Sequence, residues 1–333
     1  MAEFPSYRRL RERTDAPPGS AWGVFGPDDE LGTLNHLTEQ RTLAATRLPR
    51  TGQVVNLDLP LNAFDPALIP SRHPLSHHLF AGNPYHRDEY IDGFYPQAGS
   101  QIDGLRHIGH PDAGFYGGAD PDRFTEGEPL LGVQRFAEHG IVGRGVLVDV
   151  ERFLRDQGTP IDQDVDTAVP VDVVARAAKA QGTTLLPGDV LMIRFGWVRH
   201  HLHGRDDAAR AEAVQAIRCP GLAANHETAE WLWDNQFAVV AADNFALEAW
   251  PAASDSPLIA DAERDGRVAP TRHTGLLHRV VIPLLGMVIG ELWDLDALAD
   301  ACAADGVYEC LLVAKPLMLV GGAGSPANAV AIR

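Results

Sequence analysis

Three short apolar runs, GVLVDV (145–150), DVLMIRFGW (189–197) and FAVVAAD (237–243), set the tightest limit on what this chain can fold into. Bounded by glycine or charge, each reads as a strand buried on both faces. The stretch PVDVVARAAKAQG (170–182) has helical spacing and stops at Gly182, a residue that suits a helix end. Residues 206–217 and 223–235 read as amphipathic helices. A further helix is predicted over 294–305, with Asp294 and Asp296 near its start, where the dipole favours anions. Another spans Thr38 to Thr46, and a strand interrupted at Pro316 spans 308–320. Strands alternating with helices predict an α/β architecture. Residues 60–125 differ: they are rich in Pro, Gly, His and aromatics and poor in periodicity, so they read as long functional loops around short strands. No linker signal divides the chain, which predicts one domain over 1–333 with residues 1–50 as an extension packed on it.

Charge narrows the partners. The 333 residues include 45 acidic and 28 basic ones, a net −17. Binding a nucleic-acid backbone or an anionic membrane surface needs a basic stripe, so neither partner is expected. Cys219, Cys302 and Cys310 are too few for a disulfide framework, and none forms a C-x-x-C pair. Such a sparse set fits a reducing compartment. The opening MAEFPSYRRLRERTD lacks a signal-peptide apolar core. The longest uncharged apolar run, Val280 to Gly290, contains Pro283 and is far short of the roughly 20 residues a membrane helix needs. A cytoplasmic protein acting on a small molecule is the expectation.

The densest polar constellation is YPQAGSQIDGLRHIGH (95–110). Asp103 and His107 offer a carboxylate oxygen and an imidazole nitrogen, ligands suited to zinc or manganese. Gln97, Gln101 and His110 add neutral polar groups, and the glycines at 99, 104 and 109 let the backbone fold back tightly. Equally compatible is a polar loop in which Asp103 caps a turn and His107 sits satisfied in the core. A second cluster comprises His273, His278 and Glu291. Glu291 follows an apolar run and precedes Leu292 and Trp293; a carboxylate there is paired, protonated or metal-bound, unless it merely caps the next element. His200-His201-x-His203, flanked by Arg199 and Arg205, reads as a solvated loop. Gly321–Ser325 lacks the last glycine of a dinucleotide fingerprint and any following Lys-Ser/Thr. No G-x-S-x-G elbow or H-E-x-x-H motif is present.

In order along the chain, Gly145–Val150, Pro187–Val198, Pro220-Gly-Leu, Ala229–Leu232, Ala242-Asp-Asn, Glu291–Leu295 and Gly324-Ser-Pro resemble the cyclase family of metal-dependent hydrolases. That family includes bacterial kynurenine formamidase and isatin hydrolase. The resemblance covers about Trp22 to Ile332. It implies a swivelling β/β/α fold, with a mixed sheet, flanking helices and long active-site loops, and a homodimer or homotetramer. The family signature H-x-G-T-H-x-D-x-P-x-H meets Q-A-G-S-Q-I-D-G-L-R-H here. Gln97 and Gln101 therefore fall where the family has its first two histidines; Ser100 replaces Thr and Leu105 replaces Pro. By resemblance, Gln97, Gln101, Asp103, His278 and Glu291 are the metal positions, and His107 and Glu291 are catalytic. The activity implied is hydrolysis of a small cyclic or acylated substrate (an amide, lactam or lactone) by a metal-activated water, with His107 as base. Arg106, Tyr95 or Tyr116 would steady the oxyanion, and Trp22 would help wall the pocket.

The glutamines leave three outcomes open, because a carboxamide oxygen is a poorer zinc ligand than imidazole. The site takes a harder ion such as manganese. Or it keeps a single position from Asp103, His278 and Glu291. Or it has lost metal and works as a cyclase or lyase through His107 and Glu291. A binding member of the family without catalysis is the remaining reading.

Overall fold

The computed structural model describes residues 4–333. Its strands among those residues are β1 (Val54–Asn56), β2 (Ser76–Asn83), β3 (His86–Asp92), β4 (Gln101–Asp103), β5 (Ile141–Asp149), β6 (Ala168–Val169), β7 (Val190–Arg194), β8 (Gly221–Leu222), β9 (Val239–Ala242), β10 (Val288–Glu291), β11 (Glu309–Ala314), β12 (Gly324–Pro326) and β13 (Ala329–Ile332). Nine of them form one mixed sheet in the order β1-β13-β11-β5-β7-β9-β10-β4-β12. The centre, β5-β7-β9-β10, is parallel. Both wings are antiparallel. Every residue of β7, β9 and β10 is buried, so these strands read as unbroken apolar runs instead of alternating ones. Helices Glu39–Ala45, Val171–Ala180 and Asp296–Asp305 pack on β5.

The predicted elements recur with shifted ends. The strand expected over 308–320 stops at Ala314, because Pro316 has no N–H to give the ladder. The helix expected over 223–235 begins at His226, where the Asn225 side chain accepts from Thr228 N. The helix expected over 206–217 ends at Ala213. Near the N-terminus, Tyr7–Arg11 is a short helix. It is tied to His226–Asp234 through Tyr7 N to Asp234 Oδ1 (2.7 Å), and Trp233 Nε1 donates to Pro5 O (2.8 Å).

The sheet positions the chemistry through β4. This strand pairs antiparallel with β10, placing Gln101 opposite Glu291, and with β12, placing Asp103 opposite Gly324. Gln101 and Asp103 are two apart, so they share a face. The strand pairing thus brings two sites 190 positions apart into direct contact.

Buried histidines give the fold a pH dependence. His36 is packed against Phe4 and Phe25, and its Nε2 has no partner. Burial, aided by Arg41, pushes its pKa down to about 4. An unfolded chain protonates this ring near 6.5 while the folded chain does not, so folded protein binds fewer protons between about 6.5 and 4. The contribution of this ring to stability is therefore constant above about 6.5 and falls as pH drops towards 4. Thermal melts across pH 7.5 to 4.5 should show this fall, and His36→Gln should reduce the slope; an unchanged slope would refute the assignment.

Candidate metal centre

Asp103, His278 and Glu291 converge: their ligand atoms all lie within 4.8 Å of one another. All three are buried, as are Gln101 and a fourth acidic group, Glu248. His278 starts a short helical turn, His278–Val281. Its Nε2 lies 2.7 Å from Glu291 Oε1 and 3.7 Å from Asp103 Oδ2. On the other side, Nδ1 meets Glu248 Oε1 at 2.8 Å and Oε2 at 3.0 Å. A carboxylate behind a histidine is the arrangement that fixes ring orientation and raises basicity in metal sites.

Glu248 is itself held by close backbone packing. A Cβ on Gly221 would come within 2.3 Å of the Glu248 carbonyl, so only glycine allows this approach. Asn244 Nδ2 donates to Glu248 O and to Pro220 O. The residues beside the two glutamates, Leu247 (φ +61°) and Leu292 (φ +56°), take the left-handed conformation. That costs about 1–2 kcal/mol each for a residue with a Cβ.

The cluster's electrostatics are unbalanced. Three buried carboxylates surround one imidazole. Burial works against charge on His278, but Glu248 and Glu291 outweigh it and hold the ring well above its usual pKa. Burial pushes the Glu291 carboxyl up to about 7, against the pull of His278 and with Asp103 and Glu248 adding to the rise. The His278 imidazolium and the neighbouring Arg72 guanidinium offset the three carboxylates only in part. Two buried acceptors, Asp103 Oδ2 and Gln101 Oε1, have no hydrogen-bond partner. A divalent cation answers both the charge and the orphaned oxygens, so the residues present fit a metal.

The glutamines have distinct tasks. Gln101 Nε2 donates to Glu291 Oε2, leaving its Oε1 as a free oxygen donor. Trp293 Nε1 holds the Gln101 carbonyl at 2.9 Å. Gln97 Nε2 faces Asp103 Oδ1 (2.5 Å) and His107 Nδ1 (3.1 Å), so it stands as a donor between those two side chains and not as an oxygen ligand. His107 Nε2 is 3.9 Å from Asp103 Oδ2. Burial, with His278 and Arg72 acting the same way and Asp103 opposing, lowers the His107 pKa; the ring is neutral at pH 7.

The cluster floors a cavity of about 580 Å³. Gln97, Gln101, His107, His278 and Glu291 line it, with apolar wall from Leu68, Ile69, Phe245 and Trp250, the composition small-molecule sites favour. Arg72 also reaches this cavity and donates to the Gln97 carbonyl. Burial lowers its pKa, against Glu291 and Asp103. His273 lines the wall, held neutral by burial, which pushes its pKa down to about 4.

Four expected site residues lie elsewhere. Arg106 donates to Glu128 O and Gly321 O and sits over the Phe124 ring at 4.5 Å; it buttresses a loop. Tyr116 is buried with its hydroxyl on Asp29 Oδ2 (2.9 Å). Trp22 donates to Pro283 O. Tyr95 lines a neighbouring cleft with His73 and Ser100. The aromatic pair Phe245 and Trp250 takes over the walling role expected of Trp22 and the tyrosines. Sequence reading missed Glu248 and Arg72. Glu248 carries the same signal as Glu291, an acid within an apolar run, FALEAW. Arg72 carries none.

The nine-stranded mixed sheet carries the buried Asp/His/Glu cluster beside its β4–β10 wing. The Cyclase family model matches residues 69–249, and the chain belongs to that family. A crystal structure of a novel cyclase is 30% identical, with 94% of this chain and 99% of that one covered at a TM-score of 0.78. Isatin hydrolase A from Labrenzia aggregata, bound to benzyl benzoate, shares 16% identity over 84% of this chain and 93% of its own, at a TM-score of 0.56. Isatin hydrolase A from Ralstonia solanacearum shares 18% over 84% and 91%, at 0.55. The last two show a common fold. No curated protein matches the chain in sequence. No helix among the described residues is long and apolar enough to cross a membrane.

Glu248→Gln keeps volume and removes the charge behind His278. It should weaken divalent-metal affinity about 10–100-fold, read by chelator competition, with the far-UV circular dichroism spectrum unchanged. Equal affinity in the variant would show that Glu248 only packs.

Proposed function

We propose that this chain is a metal-dependent hydrolase of a small cyclic or acylated substrate, an amide, lactam or lactone. One observation carries the reading: Asp103, His278 and Glu291 meet, with two orphaned oxygens, and His278 and Glu291 line the cavity that also holds His107. Asp103 Oδ2, Gln101 Oε1, Glu291 and His278 Nε2 would hold the ion. Three oxygens to one nitrogen favours a hard ion such as manganese over zinc. When bound, it supplies polarisation of the carbonyl and a lowered pKa for water.

The chain's own groups do the rest. Arg72 takes the oxyanion role first expected of Arg106, since its guanidinium is the one beside the centre. His107 handles the proton. With Gln97 donating to Nδ1, the neutral ring carries its proton on Nε2. A half-turn of the Gln97 amide presents its oxygen to Nδ1–H and frees Nε2 to accept a proton. Phe245 and Trp250 give an apolar seat to a ring or acyl chain.

A metal-free acid–base reading draws on the Glu291 carboxyl near 7, and chelation separates the two. Protein purified without chelator should contain about one divalent ion per chain, and Asp103→Ala or His278→Ala should lose it. Turnover of a panel of aryl lactones, lactams and N-acyl compounds should fall at least 100-fold on chelation and on His107→Ala, the latter with metal retained. Turnover that survives chelation supports the acid–base reading. Full metal loss in the wild type, or a His107→Ala variant of unchanged rate, defeats the proposal.

A further inference from the structure

The charge of the cavity runs against that of the chain. Among the described residues that line it, two arginines, Arg72 and Arg272, stand against one acid, Glu291, which belongs to the metal centre. The chain as a whole has the opposite balance, 45 acidic residues to 28 basic ones. A wall kept clear of further acids in so acidic a chain, and carrying guanidinium groups, favours an anion and disfavours a cation. Arg72 is engaged beside the centre, where it donates to the Gln97 carbonyl. Arg272 is not engaged: among the described residues it has no ion-pair or hydrogen-bond partner. Its neighbours in sequence differ. Arg264 lies 3.6 Å from Asp261, Arg267 3.2 Å from Asp112 and Arg279 3.1 Å from Glu263. The arginine of this segment left without an acid is the one that lines the cavity.

The turn that carries Arg272 is fixed. Thr271 N donates to Thr274 Oγ1 (2.8 Å), Arg279 Nη2 to Thr271 Oγ1 (2.6 Å) and Thr274 Oγ1 to Glu263 Oε1 (2.6 Å). The residues on both sides of Arg272 are thus held while its own side chain stays free. A recognition group is prepared in this way: its position is set, and no internal bond has to break when a ligand arrives. Arg272 is exposed, so it stands where the cavity meets solvent. The next residue, His273, sets its ring against Trp250 at 6.2 Å between centroids, and Trp250 meets Phe245 edge-on at 5.2 Å. The free guanidinium and the apolar seat are therefore neighbours on one side of the cavity.

We propose that Arg272 is a specificity residue, and that the substrate is an aromatic compound carrying a carboxylate at the end remote from the metal centre. The flat ring rests on Phe245 and Trp250, and the carboxylate meets the planar fork of Arg272, whose donors match its two oxygens. A neutral analogue of the same shape forgoes this pairing. The hydrolase reading above supplies what becomes of the bound molecule. Recognition of its anionic end rests on Arg272, so the two can fail separately.

The test is isothermal titration calorimetry of the metal-replete full chain with two probes that it cannot hydrolyse, phenylacetate and its neutral isostere phenylacetone. The wild type should bind the carboxylate about tenfold more tightly. Arg272→Gln should erase that preference by weakening phenylacetate alone, and Arg272→Lys should restore part of it. The preference should shrink between about 50 and 500 mM salt, since the pair meets solvent. A carboxylate seated on the metal instead would keep its preference in Arg272→Gln and lose it on chelation; that result overturns the proposal. So does equal affinity for the two probes in the wild type, or no saturable binding of phenylacetate up to about 10 mM. An Arg272-dependent preference in a protein whose turnover survives chelation would sink the metal-dependent reading and leave the role of Arg272 standing.

Discussion

Uncompensated charge is the constraint around which this molecule is organised. Asp103, Glu248 and Glu291 are buried around the His278 imidazole. Burying like charges this close is among the most expensive arrangements a protein interior holds. Neighbouring structure is spent on keeping them there. Leu247 and Leu292 stay in the left-handed region because Leu222 N donates to the Leu247 carbonyl (3.0 Å) and Ser100 Oγ to the Leu292 carbonyl (2.6 Å). Strain next to two buried acids, each pinned by hydrogen bonds, is what a site prepared for a cation requires. A core chosen for stability alone would place apolar side chains here.

How far the sequence could be read follows from how local each determinant is. The central strands were legible because burial on both faces imposes unbroken apolar runs, and a helix end and a strand end were legible to within a few residues through Gly182 and Pro316. β4 and β12, each three residues long, carry no periodicity, so the pairing that seats Gln101 against Glu291 is invisible until the fold brings them together. The convergence of Asp103, His107, His278 and Glu291 followed from the order of family-like segments, not from composition. Aromatics and Arg106 misled because proximity in sequence to the polar loop is no guide to direction. Tyr116 and Trp22 turn into the core to meet Asp29 and Pro283. Glu248 reaches the centre from FALEAW, where a lone acid in an apolar run was the available signal, and Arg72 from a loop that carries none.

The cavity has one stiff side and one soft side. Gln101 and Glu291 stand on paired strands, and Asp103 ends one of them. Their geometry is fixed by the sheet's hydrogen bonds, as a ligand set demands. The facing wall, residues 67–72, is loop that lies shortly ahead of the β2–β3 hairpin. Chemistry is thus set by the element least free to vary, and substrate shape by the element most free to do so.

The glutamines are best understood through what an imidazole would be unable to do in their places. A neutral histidine has one N–H. Gln97 uses both hydrogens of one amide nitrogen, towards Asp103 Oδ1 and towards His107 Nδ1. It thereby couples the state of a ligand carboxylate to the proton position on the imidazole that faces substrate. Gln101 likewise presents a donor to Glu291 and an unpartnered oxygen to the centre. Replacing nitrogen ligands by these amides trades affinity for a soft or borderline ion against a hydrogen-bonded network that links Asp103, His107 and Glu291. On that argument the two glutamines are compatible with the proposed oxygen-rich centre, and Gln97 joins Asp103 to His107 within it.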